Sequence, residues 1–356
     1  MKLALAPFVV ASAFAFAIAG CGSESGTPND DTIVDQAPAK NDAPASSSTS
    51  GDPAPSTNAP ADPAKLGAPY PIVLMHGMGG FGKLELGPIG VTYFNDVVAE
   101  LTKNGESVYV TLAPPYETSE VRAAAVAKQI DVILQRTGKA KVNLIGHSQG
   151  GLDARVLASP NGLGYGDRIA SVTTIATPHR GSKVADVGLG LVKFLPASVV
   201  DDVTGSLLEL LQKTAYDLQS DSDLRGQITL LSETYMRDVF NVKYIDDARV
   251  TYTSYGGRTN LRTGILACDD GVYPNDPTEL DVAQGPLAVL AAFLEDGKLK
   301  VNDGLVTVES AKWGKFQQCV AADHLKEVGQ LGPLAASFDH KKLFRDIVGR
   351  VRAAGF

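Results

Sequence analysis

One short stretch of the chain, residues 141–155, constrains the fold more than any other. It reads KVNLIGHSQGGLDAR, which predicts a buried strand, a tight turn and the first turns of a helix. The turn has the pattern G-x-S-x-G, with Ser148 between Gly146 and Gly150. Such a bend strains the serine backbone and needs small neighbours, because the strand folds sharply into the helix. We therefore predict that Ser148 is a nucleophile, raised clear of the sheet near the positive end of a helix.

Strands and helices alternate on both sides of this turn. A chance match to the pattern is the alternative in a chain with 36 glycines, but the strand before it and the helix after it are the required context. Continuous apolar runs predict central strands of a parallel sheet, and residues with helical spacing lie between them. The fold class is therefore α/β, a mostly parallel sheet flanked by helices. The predicted strands cover residues 72–75, 107–112, 142–145 and 169–176, and the longest helix covers 119–136.

A glycine-rich loop, His76-Gly77-Met78-Gly79-Gly80, follows the first of these strands. Backbone N–H groups in such a loop stabilise an oxyanion well, because they are rigid, uncharged donors. We predict that the N–H groups of Met78 and Gln149 form an oxyanion hole. His76 comes too early in the chain to be the base and is expected to brace the loop by hydrogen bonding.

Hydrolases with this turn carry the acid and then the histidine after the serine. Two histidines follow at a useful distance, and His340 is expected to begin the C-terminal helix, so His324 is the preferred base. Asp303 is the preferred acid, since it follows an apparent strand, residues 298–301, and precedes a glycine that permits a sharp turn. Spacing alone leaves other acids open: Asp269, Asp270, Asp276, Asp281 and Asp296.

Several motifs in order resemble one family. The runs PIVLMHGMGG (71–80), VNLIGHSQGG (142–151) and SVTTIATPHRGS (171–182) look like the bacterial true lipases of the Pseudomonas and Burkholderia type. The resemblance continues at NDGLV (302–306) and DHL (323–325), and it covers most of residues 68–350. It implies an α/β-hydrolase fold, a Ser148/Asp303/His324 triad and a triacylglycerol lipase that acts on ester or lipid substrates without a cofactor.

The family's calcium site is altered in this chain. Family members usually bind one structural calcium through two aspartates, a glutamine and a backbone carbonyl. Asp276 and Gln330 match two of these positions, but Lys326 stands where the second aspartate belongs. Calcium needs an oxygen shell, and an ammonium group is incompatible with it. The sequence therefore predicts a degenerate site without metal, in which Lys326 either pairs with Asp276 or points to solvent.

Two cysteines remain in the second half of the chain, Cys268 and Cys319. An even pair in an exported protein favours a disulfide, with a buried free pair as the alternative. The family places a cysteine near residues 308–310 instead, so this pairing departs from its pattern.

A lid or cap is expected at about residues 186–225, where an apolar, glycine-rich segment precedes an amphipathic helix that begins near Ser206. The resemblance implies that this element opens at a lipid surface. A fixed helical cap that only shapes an acyl pocket is the alternative.

The first 66 residues predict export. Residues 1–20 have the features of a signal peptide, and the segment before Cys21 resembles the lipobox of bacterial lipoproteins. Cys21 would then carry lipid and anchor the protein to a membrane of the cell envelope; an ordinary signal peptide and secretion are the alternative. Residues 21–66 are rich in Ser, Pro, Ala and Asp and predict a disordered tether. The catalytic domain is expected to span residues 67–356.

Other functions stay open at this point. An esterase or an acyltransferase on cell-envelope substrates is the main alternative, and a surface lipoprotein that only binds ligand is a weaker one. A net charge of −8 gives no basic footprint for nucleic acid. Family members often need a lipase-specific folding chaperone, which makes such a chaperone a possible partner.

Overall fold

A computed structural model gives the fold of the chain. It describes residues 33–35, 69–86, 89–191, 195–214, 223–259, 268, 284–295, 300–330 and 338–356. All of them belong to one compact unit, Thr32–Phe356. The predicted signal peptide, the predicted lipidation site Cys21 and most of the predicted tether lie outside the described residues.

In the described part of the chain seven strands form the main sheet, and the predicted α/β class with a mostly parallel sheet is confirmed. Their order across the sheet is β1-β5-β2-β6-β7-β8-β9, and a separate hairpin is made of β3 and β4. Six strands are parallel, whereas β1 at the edge runs antiparallel to β5. The strands are β1 (Ile33–Asp35), β2 (Ile72–Met75), β3 (Lys83–Leu86), β4 (Ile89–Thr92), β5 (Val108–Thr111), β6 (Val142–His147), β7 (Ile169–Ile175), β8 (Thr251–Gly257) and β9 (Lys315–Val320).

Helices connect the strands and cover the sheet. They are α1 (Val97–Lys103), α2 (Ser119–Thr137), α3 (Gln149–Ala158), α4 (Lys183–Gly188), α5 (Ala197–Thr214), α6 (Leu224–Leu230), α7 (Glu233–Tyr235), α8 (Asn241–Lys243), α9 (Gln284–Glu295), α10 (Val308–Ala311) and α11 (His340–Ala353). A π-helix, Met236–Phe240, joins α7 to α8, and two 3-10 helices cover Tyr165–Asp167 and Lys326–Val328. No helix within these described residues is long and apolar enough to cross a membrane.

Strand β2 is apolar without interruption, because both of its faces are buried. Side chains alternate between the two faces of a strand. Ile72 and Leu74 accordingly join one buried cluster, with α1 and α11, whereas Val73 and Met75 join another, with α2 and α3. Helices therefore cover both faces of the sheet and leave its carboxyl edge open for a site.

Two expectations about strands need correction. Ile33 and Val34, which are β-branched and favour strands, lie in β1 rather than in a tether without structure. Lys300 and Val301, the described residues of the expected strand before Asp303, are not in a strand. An isolated bridge from Asn302 to Thr307 closes a tight turn there instead.

The predicted cap region contains α4 and α5, with residues 192–194 and 215–222 outside the described part. Helix α5 begins at Ala197, well before the start expected near Ser206. Val203 and Leu207 of α5 pack in one buried cluster with Val184 of α4 and Leu290 of α9. Helices α4 and α5 thus share an apolar cluster with α9, and their role as a lid or cap stays a prediction.

The predicted disulfide is present. Cys268 and Cys319 are bonded, with their Cα atoms 5.0 Å apart. Cys319 lies on β9, just before the loop that carries His324. The bridge therefore ties the segment at Cys268 to the strand that leads into this loop.

Candidate active site

Ser148 lies on the sharp bend between β6 and α3. Its backbone has φ 55° and ψ −128°, in the left-handed half of the map that L-residues rarely adopt. A Cβ atom on Gly146 would lie 2.6 Å from backbone atoms of Gly150, and one on Gly150 would lie 2.4 Å from the carbonyl oxygen of Met75. Both flanking positions therefore have room only for glycine.

Ser148, His324 and Asp303 form one hydrogen-bonded row. Nε2 of His324 lies 2.9 Å from Oγ of Ser148, and its Nδ1 lies 2.8 Å from Oδ2 of Asp303. Because an ionised carboxylate only accepts hydrogen bonds, the proton of the imidazole lies on Nδ1 and Nε2 is free to accept from the serine. The structure thus brings together the three side chains that the sequence suggests as nucleophile, base and acid.

The turn around Asp303 holds this carboxylate in place. Its Oδ1 atom accepts hydrogen bonds from the backbone N–H groups of Leu305 and Val306, at 2.8 and 2.7 Å. Its carbonyl oxygen accepts the N–H of His324 at 3.1 Å. The side chain has only 1% of its surface exposed, so little water competes for Oδ2. Asp303 is therefore fixed by the turn rather than by the strand expected before it.

The two amides predicted to form an oxyanion hole belong to Met78 and Gln149. Met78 lines the same pocket as Ser148. Gln149 is the first residue of α3, where N–H groups lack partners within the helix. Neither amide donates a hydrogen bond to another protein group within the described part of the chain. Both remain available for an oxyanion, and that role stays a prediction.

His76 braces the loop before Met78, as expected. Its Nδ1–H donates to the carbonyl of Gly77 at 2.9 Å, and its Nε2 accepts the N–H of Ala113 at 3.0 Å. Burial and the nearby charge of Arg122 lower the pKa of His76 to about 3. The ring is therefore neutral at physiological pH, with one donor and one acceptor as these two bonds require.

Arg122 on α2 is a second brace, which the sequence did not reveal. It donates to the carbonyl oxygens of His76 at 2.6 Å and Pro114 at 2.7 Å, and to Oδ2 of Asp153 on α3 at 2.8 Å. Burial raises the pKa of Asp153 to about 6, although the charge of Arg122 opposes this shift. The ion pair links the loop that carries Met78 to the helix that carries Gln149.

A further polar group, also missed from the sequence, lies behind the nucleophile. The Tyr93 hydroxyl lies 2.7 Å from Nδ1 of His147, and Nε2 of His147 lies 3.4 Å from a carboxylate oxygen of Glu327. All three side chains are buried. Burial lowers the pKa of His147, and burial with the charges of Asp303 and Asp323 raises that of Glu327. No local sequence pattern predicts these contacts.

An apolar pocket opens in front of Ser148. Its cavity volume is about 100 Å³, and it is open to solvent. Side chains of the cap and of the loops at the carboxyl edge line it, so a substrate here would contact both. Its apolar lining includes Met78, Pro178, Val184, Ala185, Leu207, Ile228, Leu231, Leu305, Val306 and Leu325.

The positions of the family's calcium ligands do not fit a calcium ion. Lys326 has 1% of its surface exposed, so the alternative in which it points to solvent is wrong. A buried ammonium at a ligand position excludes the oxygen shell that calcium needs. Gln330 lines the pocket beside Ser148, and Asp276 lies outside the described residues, so the Lys326–Asp276 pair stays a prediction.

One other group in the described residues has the composition of a metal site. His147, His324 and Glu327 have ligand atoms within 4.8 Å of one another. Both ring nitrogens of His324 already bond, to Asp303 and to Ser148. A metal here would have to break the row that contains the nucleophile.

Sequence comparisons agree with this geometry. The family model described as the alpha/beta hydrolase fold matches residues 70–210. A triacylglycerol lipase of Vibrio cholerae is 32% identical over 305 residues, which cover 80% of this chain and 88% of that protein. A triacylglycerol lipase of Burkholderia plantarii is 27% identical, over 80% of this chain and 87% of the relative.

Solved structures show the same fold. The mature form of a Bacillus licheniformis lipase is 19% identical with a TM-score of 0.52, over 76% of this chain and 89% of that one. A metagenomic carboxyl esterase is 18% identical with a TM-score of 0.57, over 86% of this chain and 82% of that one. At such identities the likeness concerns the fold alone.

Proposed function

Since this chain belongs to the bacterial triacylglycerol lipases of the α/β-hydrolase fold, we propose that it hydrolyses acylglycerols through Ser148, His324 and Asp303. Its membership makes it a carboxylic ester hydrolase. The observation that carries the finer proposal is the row of hydrogen bonds from Ser148 through His324 to Asp303, at 2.9 and 2.8 Å.

In the proposed reaction the Ser148 hydroxyl attacks the ester carbonyl. Nε2 of His324 accepts the hydroxyl proton, and Asp303 holds the ring with Nδ1 protonated and stabilises the imidazolium. His324 then gives the proton to the departing alcohol, which leaves an acyl-enzyme. Water activated by the same ring releases the fatty acid and restores the serine. No step needs a cofactor.

The negative charge that develops on the carbonyl oxygen would be met by the N–H groups of Met78 and Gln149. Loss of one such donor costs about 3–4 kcal/mol of transition-state stabilisation in comparable sites. Both donors are backbone groups held by buried braces, so they would not reorganise as the charge forms. This rigidity supports their assignment to the oxyanion hole.

The lining of the pocket supports the proposal that the substrate carries an apolar acyl group. This lining is mostly aliphatic and includes Leu207 of α5 and Leu305 in the turn of Asp303. Burial of each methylene of an acyl chain contributes about 0.8 kcal/mol. Longer chains should therefore bind better until they reach the end of the pocket.

Chain length and physical state of the substrate test this proposal. Purified protein is assayed on p-nitrophenyl esters of rising length and on emulsified triacylglycerols, with Ser148→Ala as the matched control. The proposal expects hydrolysis of the emulsions, with a rate that rises above the substrate's solubility limit. Activity confined to short soluble esters would make the protein an esterase, and a product that carries the acyl group on another alcohol would make it an acyltransferase. No turnover of any ester would leave only a ligand-binding lipoprotein.

Attachment to a membrane is part of the proposal. The small residues before Cys21 support lipidation of this cysteine, and multiple acyl chains give stable anchoring. Full-length protein should fractionate with membranes, whereas Cys21→Ser should be released in soluble form or left unprocessed. Equal fractionation of both would contradict the anchor. Dependence on a folding chaperone is tested by refolding the denatured protein with and without one.

A further inference from the structure

A directed row of hydrogen bonds runs behind the nucleophile. It begins at the backbone N–H of Gly77, which lies 3.0 Å from the Tyr93 hydroxyl. It continues from that hydroxyl to Nδ1 of His147 at 2.7 Å. It ends where Nε2 of His147 faces Glu327 at 3.4 Å. The first member precedes Met78 of the predicted oxyanion hole, and the last is close to His324 in the chain.

The direction of this row is assigned from the chemistry of its groups. The N–H of Gly77 only donates, so the oxygen of Tyr93 accepts there. We assign the single proton of the Tyr93 hydroxyl to the bond with Nδ1 of His147. Burial lowers the pKa of His147, so the ring is neutral and, with Nδ1 as acceptor, its one proton lies on Nε2. The contact of Nε2 with Glu327 at 3.4 Å is a longer polar contact and is not one of the hydrogen bonds of the row.

We propose that Tyr93 is a positioning residue for the oxyanion hole, because its hydroxyl, oriented by His147, holds the N–H of Gly77 and thereby the amide of Met78. This inference rests on the proposed function and adds a residue to it. Tyr93 acts through the backbone and is not assigned a contact with the reacting atoms.

Gly77 is tightly packed, so the position of the Tyr93 hydroxyl affects where the loop at Gly77 lies. A Cβ atom on Gly77 would lie 2.7 Å from Cβ of Ser148 and 2.9 Å from the Tyr93 hydroxyl. The loop therefore passes directly against the nucleophile, and Tyr93 lies between this loop and His147. A shift of about 1 Å in a positioned group can cost a factor of about 10² in rate. The amide of Met78 is the next donor along the chain from the anchored N–H.

The far end of the row reaches the histidine loop. Glu327 is buried, and a Cβ atom on Gly257 of β8 would lie 1.8 Å from one of its carboxylate oxygens. The ring of His147 also packs on that of His324, with centroids 4.7 Å apart. His147 therefore touches both halves of the site, although it comes too early in the chain to be the base.

Tyr93→Phe tests the proposal, because it removes one oxygen and keeps the ring. A matched control is Tyr252→Phe: the hydroxyl of buried Tyr252 likewise accepts a backbone N–H, from Asp247 at 3.1 Å, and Tyr252 does not line the pocket. We expect Tyr93→Phe to lower kcat by about tenfold to a hundredfold, with KM within about twofold of wild type. Tyr252→Phe should lose thermal stability to a similar degree and keep its kcat.

A second pair of variants, both at His147, distinguishes the roles of its two ring nitrogens. Asparagine places an oxygen near the position of Nδ1, whereas glutamine places its amide near the position of Nε2. His147→Asn can still accept the tyrosine proton, so it should retain at least about ten times the kcat of His147→Gln. Equal kcat values in these two folded variants would overturn the assigned direction.

The outcomes separate this inference from the proposed function. If wild-type protein hydrolyses no ester, the proposed function fails first. If wild-type protein is active and Tyr93→Phe keeps the kcat of Tyr252→Phe, only the role of Tyr93 fails. A change confined to KM would also overturn it, because oxyanion stabilisation acts in the transition state. If Tyr93→Phe does not fold, the comparison of His147→Asn with His147→Gln tests the proposal alone.

Discussion

Arg122 and Asp153 form an ion pair with almost no exposed surface, 0% and 1% of their side chains, and a distance of 2.8 Å between Nε and Oδ2. The pair joins two parts of the site that are far apart in the chain. Arg122 holds the carbonyl of His76 on the oxyanion loop, and Asp153 lies one turn into the helix that begins at Gln149. The two predicted oxyanion donors are thus fixed relative to each other.

Arg122→Lys should therefore lower both activity and stability. A lysine cannot bond three acceptors in the planar geometry of a guanidinium. The positive charge is kept, but at least one buried carbonyl loses its donor, which costs about 1–3 kcal/mol of unfolding free energy. The value of kcat should fall at least about tenfold as the loop loosens. Denaturant unfolding and steady-state kinetics measure the two effects.

An exposed pair provides the control. Arg168 and Asp131 bond on the surface, with 45% and 46% of their side chains exposed. Arg168→Lys should cost at most about 1 kcal/mol and leave kcat unchanged. Equal effects of the two substitutions would show that burial of the Arg122 pair adds nothing.

Asp303→Asn should nearly abolish turnover and leave the fold intact. The asparagine amide facing Nδ1 favours the wrong tautomer of His324, and in comparable triads this costs about 10⁴ in kcat. Asp246→Asn, which alters an exposed carboxylate bonded to Trp313, should behave like wild type. A kcat for Asp303→Asn within tenfold of the control would remove Asp303 from the mechanism.

His76 makes stability depend on pH. In the unfolded chain its pKa is near 6.5, whereas burial and Arg122 lower it to about 3 in the folded protein. Between these values the unfolded state binds more protons, so stability falls as the pH falls. This one group should make the protein about 2 kcal/mol less stable at pH 5 than at pH 7.

Comparison with His76→Asn isolates this contribution, because the other buried titrating groups, such as Asp153, are common to both proteins. Urea unfolding is measured at pH 5 and pH 7. The variant is expected to be less stable at pH 7 but to lose less on acidification. Parallel losses in both proteins would mean that His76 is not held neutral by the fold.

Removal of the disulfide should lower the activity of the site under conditions where the core is still folded. Cys268 and Cys319 are 51 residues apart, and closing a loop of this length contributes about 4 kcal/mol in the chain-entropy view. Reduction should lower the Tm by several degrees and reduce activity at temperatures where the sheet stays folded. The double variant Cys268→Ser/Cys319→Ser should show the same changes and no further response to reductant. Full activity of the folded, reduced protein would contradict the link to the His324 loop.

The sequence predicted the features that local patterns encode. Strand β2 is a continuous apolar run, β6 contains the apolar run Leu144-Ile145 directly before the bend, and the bend at Ser148 requires glycine on both sides, so these features could be predicted. Strands β8 and β9, with the sequences TYTSYGG and KFQQCV, are polar or mixed and gave no such signal. In the sheet β8 pairs with β7, and β9 pairs with β8.

The supporting residues of the site could not be predicted for a related reason. Tyr93 and His147 are 54 residues apart, and Arg122 and Asp153 are 31 apart. Their roles exist only after the sheet brings the loops together. Asp303 was identified by its motif, but Lys300 and Val301 before it are not in the expected strand. The bridged turn from Asn302 to Thr307 holds Asp303 instead, through backbone and side-chain bonds within the turn.

The most direct test of the account is covalent labelling of the nucleophile. Wild-type protein is treated with a fluorophosphonate probe, digested and mapped by mass spectrometry, in parallel with Ser148→Ala. We predict one adduct per chain on Ser148, with loss of esterase activity in step with labelling, and neither label nor activity in the variant. A label on another residue, or full activity in folded Ser148→Ala, would contradict the proposal that this serine attacks the ester.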